Sequence, residues 1–147
     1  VTDTLGLDFS AGWLDAVFDD FINEFGEDLS GRDQAHAPGY MYSIRAHWQK
    51  GPWYASLSAD TKDEFYFSDR HAVRSDDHTL INASLSYQAE SWGLTLWGRN
   101  LTDEDYFVRA FGSFGNDPRK FYVTEPYYQF GEPRIFGLTL DLSIKGQ

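Results

Sequence analysis

Leu5-Gly6-Leu7-Asp8-Phe9-Ser10-Ala11-Gly12-Trp13 carries the pattern that decides the fold. Its odd positions are Leu5, Leu7, Phe9, Ala11 and Trp13, and the even positions between them hold only Gly6, Asp8, Ser10 and Gly12. Side chains alternate across a β-strand with a period of two, so this stretch predicts a strand with one apolar face. The pattern then recurs. Tyr40, Tyr42, Ile44, Ala46 and Trp48 alternate with Met41, Ser43, Arg45, His47 and Gln49, and Trp53, Ala55, Leu57 and Ala59 with Tyr54, Ser56, Ser58 and Asp60. Thr79, Ile81, Ala83, Leu85 and Tyr87 oppose Leu80, Asn82, Ser84, Ser86 and Gln88. The fifth strand is less regular: Trp92, Leu94 and Leu96 share one side, while Trp97 joins Thr95 and Arg99 on the other. The sixth sets Phe136, Leu138, Leu140, Leu142 and Ile144 against Gly137, Thr139, Asp141, Ser143 and Lys145. These strands approach the roughly 9–11 residues that a tilted strand needs to cross a bilayer. Strands of soluble proteins usually have about 5–6.

The connections carry a second signal. Gln49-Lys50-Gly51-Pro52 and Gln88-Ala89-Glu90-Ser91 are tight turns, whereas residues 17–38, 67–78 and 111–133 form long polar or mixed stretches. Long and short connections therefore alternate, as they do in outer-membrane barrels with short periplasmic turns and long outer loops. Trp48, Trp53, Tyr87 and Trp92 flank the tight turns, where an interfacial belt of rings belongs. Tyr40, Phe65, Phe67, Tyr106 and Phe136 are the candidates for the opposite belt. The expected fold is all-β: an antiparallel up-and-down meander of about six long strands, an open segment of a transmembrane β-barrel.

Composition fits that expectation and excludes others. Rings make up 18% of the 147 residues, yet mean hydropathy is -0.50, so the apolar residues are dispersed. No run reaches the about 20 apolar residues of a membrane helix. A net charge of -11 without a Lys/Arg cluster argues against nucleic acid, which demands a basic patch. The lack of Cys removes disulfide frameworks and thiolate metal sites. Val1-Thr2-Asp3 begins beside a strand and not with a secretory signal, so the expectation is a processed chain or a fragment.

Several segments resemble the TonB-dependent outer-membrane receptors. Residues 92–106, Trp-Gly-Leu-Thr-Leu-Trp-Gly-Arg-Asn-Leu-Thr-Asp-Glu-Asp-Tyr, are similar to the late-barrel run that ends in Asn-Leu-Thr-Asp and an aromatic. Pro133-Arg134-Ile135-Phe136-Gly137-Leu138-Thr139-Leu140 resembles the family's last strand, and Gly12-Trp13-Leu14-Asp15-Ala16 and Ala37-Pro38-Gly39-Tyr40 resemble earlier strand edges. The resemblance spans nearly the whole chain. It implies active uptake of a scarce nutrient, most often an iron–siderophore complex, through an outer-membrane barrel of about 22 strands. It also implies an N-terminal plug and a TonB-contacting segment, neither of which is in this sequence. Six strands cannot close a barrel, so residues 1–147 are expected to transport nothing alone. One departure is Ile144, followed by Lys145-Gly146-Gln147, where the family's last strand ends in an aromatic.

Catalytic motifs are absent: there is no nucleophile elbow and no metalloprotease spacing. No enzyme activity, cofactor or metal is expected. His36, His47, His71 and His78 lack ligand spacing, and His71 and His78 suit a solvated or lumenal loop. Asp15, Asp19, Asp20, Glu24, Glu27 and Asp28 lack the spacing of a calcium loop and fit a solvated acidic connection. Phe18, Phe21, Ile22 and Phe25 fall at helical spacing there, allowing a short amphipathic helical turn. Asn82-Ala83-Ser84 and Asn100-Leu101-Thr102 match glycosylation acceptors but lie in predicted strands of a bacterial-type chain; Asn100 to Asp103 is expected to be scaffold. Arg45, Lys62 and Arg99 fall on the polar phase and are expected to face the lumen. Contacts to an aromatic or anionic chelate are expected from Tyr66, Arg70, His71, Arg74, Phe111, Phe114, Arg119 and Tyr122 in the outer loops. The competing reading is a soluble all-β carbohydrate-binding module, which needs the apolar faces of two sheets to meet.

Overall fold

The computed structural model describes residues 4–112 and 116–143. Its main element is one antiparallel sheet of six strands, built from β1 (Leu5–Trp13), β2 (Tyr40–Lys50), β3 (Trp53–Lys62), β4 (His78–Gln88), β5 (Trp92–Arg99) and β8 (Ile135–Leu142). The strands pair in sequence order, so the sheet is a meander. A second, two-stranded sheet, β6 (Phe107–Phe111) with β7 (Tyr127–Phe130), interrupts the path between β5 and β8. Residues 113–115 fall inside that excursion and residues 144–147 beyond β8, so Phe114 and the Ile144 departure lie outside the described residues.

Register turns the alternation of each strand into a property of the whole sheet. Phe9 lies opposite Ile44, Ile44 opposite Ala59, and Ala59 opposite Ile81. Leu85 lies opposite Leu96, and Leu96 opposite Leu138. A slip of one residue at any pairing moves a strand's apolar set to the other side. None occurs, so the apolar positions share one face across all six strands.

Among the described residues no second sheet covers that face. Phe9 is 69% exposed, Leu138 65% and Leu142 68%. Large buried side chains cluster elsewhere: Phe65 and Phe67 meet Ala110, joining the β3–β4 connection to β6. Both rings were candidates for the outer belt, and burial removes them from it. Tyr106 also leaves the belt, because it stacks on His78 at 4.6 Å, and His78 faces the polar side opposite Lys62. Of the belt candidates Tyr40 and Phe136 remain on the apolar face at the long-connection end, where Trp13 and Tyr42 join them. At the tight-turn end Tyr87 touches both Trp53 and Trp92, with ring centroids 4.9 and 5.5 Å away.

Trp97 explains the irregularity of β5. Its ring lies on the polar face over Gly137, where an added Cβ would sit 2.1 Å from Cζ2. Its Nε1 donates to Thr139 Oγ1 at 3.1 Å. Glycine on β8 thus makes room for a large amphipathic ring on β5, and the hydroxyl two residues on satisfies its donor.

The first long connection is not helical. Bridges Val17 to Asp33 and Ile22 to Asp28 make it an irregular antiparallel ribbon. Buried Asn23 governs its tip: Oδ1 accepts from the backbone N–H of Phe25 and of Glu27, both at 3.0 Å. This local closure competes with a helix for the same backbone donors and wins. Phe18 and Phe21 stack at 4.5 Å within the ribbon, so their spacing reflects a ring pair and not a helical stripe.

Candidate functional site

The polar face and the long-connection end hold the chemistry-bearing side chains. On the face, the sequence brings short hydroxyl and amide groups into register around one carboxylate. Ser43 Oγ donates to Asp60 Oδ1 at 2.6 Å, while Ser58 Oγ and Asn82 Nδ2 donate to Asp60 Oδ2 at 3.1 and 3.2 Å. Ser56 and Ser84 bond across strands at 2.8 Å, and Ser86 and Thr95 at 2.9 Å. A shallow hollow of about 420 Å³ lies over this ladder, edged by Arg45, Tyr54, Trp97 and Arg99. The combination offers hydrogen bonds and ring faces.

Arg45, Lys62 and Arg99 lie on the polar phase of the sheet. Arg45 stands opposite Asp8 and Ser58. Lys62 stands between Met41 and His78 and places its Nζ 5.0 Å from the centroid of Phe65. Arg99 pairs with Glu132 at 3.2 Å and lies 5.2 Å from the Trp97 ring centroid.

The described loop candidates lie in three places. Tyr66, Arg70, His71 and Arg74 lie together, and all four are engaged within the chain. Tyr66 is sandwiched between the guanidinium groups of Arg32 and Arg74, 4.2 and 4.5 Å from its ring centroid. Arg74 pairs with Glu64 at 3.1 Å and Asp33 at 3.6 Å, and Arg70 with Glu24 at 2.8 Å. His71 accepts from the Val73 N–H at its Nδ1 and reaches the Ala110 carbonyl through Nε2, both at 3.3 Å. With Asn23 Nδ2 donating to the Asp69 carbonyl at 3.0 Å, these contacts lace the first two long connections together and to β6. Arg119 and Tyr122 lie apart, in the turn before β7. There Arg119 is held by Asp117, and Tyr122 is 69% exposed. Phe111 ends β6, 40% exposed, with Arg109 5.9 Å from its ring centroid.

The acidic residues do not converge. Asp28 accepts from the Ser30 hydroxyl at 2.6 Å, which with the Ser30 N–H holds its carboxyl below the usual range, and Glu24 serves Arg70. Among the described residues no group of three or more His, Asp or Glu gathers closely enough to hold a metal ion.

Two of the four segments behind the family resemblance meet each other. Asn100, 3% exposed with φ of 49°, donates from Nδ2 to the carbonyls of Glu104 and Glu132 at 2.9 and 3.0 Å. Its Oδ1 accepts from the Glu104 N–H at 2.8 Å. Asp103 accepts from both the backbone N–H and the guanidinium of Arg134, at 3.0 and 3.1 Å. Asn100 to Asp103 and Pro133-Arg134 therefore fasten the end of β5 to the start of β8 and close the β6–β7 excursion at its base. A search against models of known protein families finds no match for this chain.

Sequence reasoning passed over one further grouping. His36 is held by its N–H donating to the Tyr66 carbonyl at 2.8 Å, and its ring lies 5.3 Å from that of Phe65 and 6.2 Å from that of Phe67. With Arg109, Val108 and Phe111 it borders a hollow of about 360 Å³. Burial, then Arg109 and Lys62, holds the imidazole below its ordinary pKa. Residues 36, 62 and 109 share no local motif, so only the packed connections reveal them.

Proposed function

We propose that the six-stranded sheet is part of an outer-membrane β-barrel, from the C-terminal region of a TonB-dependent receptor that takes up a scarce nutrient, an iron–siderophore complex by preference. One observation carries the reading: an apolar face kept in register over six strands and left exposed. In water, exposed apolar patches beyond a few hundred Å² mark a missing partner. Lipid is the partner that accepts a tall band flanked by rings at both ends, with hydroxyls, amides and charges confined to the opposite side.

Among the described residues β1 and β8 are each paired on one side only, which fits a larger barrel, because unpaired backbone groups are not tolerated in lipid. Further strands and a plug domain complete the structure, and TonB drives it through the N-terminal part of the receptor. The bonding of Asn100 to Glu132 and of Asp103 to Arg134 supports a scaffold role for the motifs behind the resemblance. The long connections face outward and meet the nutrient; the tight turns face the periplasm.

Two experiments test this. Membranes of the source cells are separated by density, and the protein carrying this chain is expected in the outer-membrane fraction; recovery as a soluble monomer favours the carbohydrate-binding module instead. A deletion strain is then grown with defined iron chelates as sole iron source. Loss of growth on one chelate supports iron uptake, and unaltered growth on every chelate removes that substrate class.

A further inference from the structure

We propose that His36 and His71 form an acid-sensitive latch, which holds the first two long connections against β6 while both imidazoles are neutral and lets go when they are protonated. The joint they close is small: Phe65 and Phe67 meet Ala110 there, and Val73 packs against the three. His71 acts through its two ring nitrogens. Nδ1 accepts from the Val73 N–H and Nε2 faces the Ala110 carbonyl, each at 3.3 Å. A carbonyl can only accept, so Nε2 holds the proton and Nδ1 is bare. Only one neutral tautomer satisfies both partners. An imidazolium carries a second proton on Nδ1, and that proton meets the Val73 N–H donor to donor. The ring is also seated tightly, since a Cβ added to Gly112 would lie 2.7 Å from its Cδ2. Losing the bond to Val73 reaches the cluster directly, because the Val73 carbonyl accepts from the Phe67 N–H at 3.2 Å and its side chain touches the buried rings.

His36 works by a different route. Its ring lies against Phe65 and Phe67, and the two charges that bear on it, Arg109 and Lys62, are both positive. Protonation places a third cation beside the same rings. Burial and these charges hold its pKa below the ordinary value, so a closed joint takes up the proton less readily than an open one, and opening gains as pH falls through the imidazole range. Near His71 the charged side chains are Asp69 and Arg70 on its own connection and Arg109, next to Ala110 on β6; Glu24 of the first connection takes up Arg70. Farther along, Arg32 and Arg74 flank Tyr66, and Arg74 is paired with Glu64 and Asp33. The latch depends on the packing of the long connections and not on the medium around the sheet, so it stands or falls separately from the receptor reading.

The test follows hydrogen exchange by mass spectrometry in the protein carrying this chain, folded in detergent, at about pH 7.5 and about pH 5, corrected for the intrinsic pH dependence of exchange. Residues 65–75 and 107–111 are expected to lose protection about tenfold at the lower pH, the scale of one hydrogen bond, while residues 53–60 and 80–86 of the sheet keep theirs. The double variant His36→Gln with His71→Gln, which cannot titrate at these positions, should show no such change. If that variant is already open at about pH 7.5, the parent decides: its opening must share a midpoint with the ring resonances of His36 and His71 in a pH titration. Equal protection of the joint at the two pH values, a pH effect that persists in the double variant, or a parent midpoint in the carboxylate range overturns the proposal.

Discussion

Phe9 and Ser10 are neighbours at the middle of β1 and point to opposite faces, which makes them a paired test of what each face meets. Phe9 is 69% exposed on the apolar face, opposite Ile44; Ser10 is exposed on the polar face, opposite Ser43. Placing Arg at a lipid-facing midplane costs about 2–4 kcal/mol. Removing the ring forfeits roughly another 1.5–3 kcal/mol of apolar contact. Phe9→Arg should therefore destabilise the folded protein by about 4 kcal/mol or more, close to a thousandfold in the folding equilibrium. Ser10→Arg changes an exposed polar site, where effects usually stay within about 0.5 kcal/mol. Urea unfolding of the protein carrying this chain, in phosphatidylcholine vesicles and followed by tryptophan fluorescence, measures both. Equal effects, or a neutral Phe9→Arg, would refute lipid contact, since an exposed ring on a water-soluble sheet loses little when replaced.

Asn100→Ala should cost about 2–4 kcal/mol, because it removes three side-chain hydrogen bonds at roughly 0.5–1.5 kcal/mol each; Asn100→Gly, which tolerates the positive φ but lacks the amide, should lose nearly as much in the same unfolding assay. Phe121 is 92% exposed and left-handed, with φ of 56°, at a helix-end position that glycine usually fills. Phe121→Gly should stabilise the β6–β7 excursion by about 1 kcal/mol, seen as slower hydrogen exchange there. His36 gives a pH dependence whose sign follows from its depressed pKa: the unfolded chain binds the proton more readily, so the contribution is present above the ordinary value of 6.5 and lost as pH falls below it. His36→Gln should flatten the stability profile in that window. Asp117, lowered by Arg119, acts only below the ordinary carboxylate value of 3.8, so the two effects separate by pH.

The sheet was legible because its signal is local. Alternation in β1 marks both bounds of the strand, since the faces differ sharply from one residue to the next. β6 and β7 escaped notice for a physical reason: a bulge between Phe107 and Arg109 breaks the period, and Tyr127-Tyr128-Gln129-Phe130 has no polar phase. Phe65 and Phe67 show the limit of ring placement by sequence, because burial against Ala110 depends on how distant connections pack. The same limit governs the candidate site. Arg45, Lys62 and Arg99 followed from strand phase, whereas His36 beside Arg109 required the fold. Arg70 and Arg74 were legible as loop cations, but their engagement by Glu24, Glu64 and Asp33 was not.

β4 offers the most direct measurement, since it is paired on both sides and carries Ile81, Ala83 and Leu85 on one face and Asn82, Ser84 and Ser86 on the other. Spin labels placed singly at residues 81–86 in the protein reconstituted in lipid report accessibility to oxygen, which concentrates in the bilayer, and to a water-soluble nickel chelate. The account predicts a period of two, with oxygen contact highest at 81, 83 and 85. If those three positions are instead shielded from both reagents, as in a core between two sheets, or open to the nickel chelate, the lipid-facing sheet is contradicted.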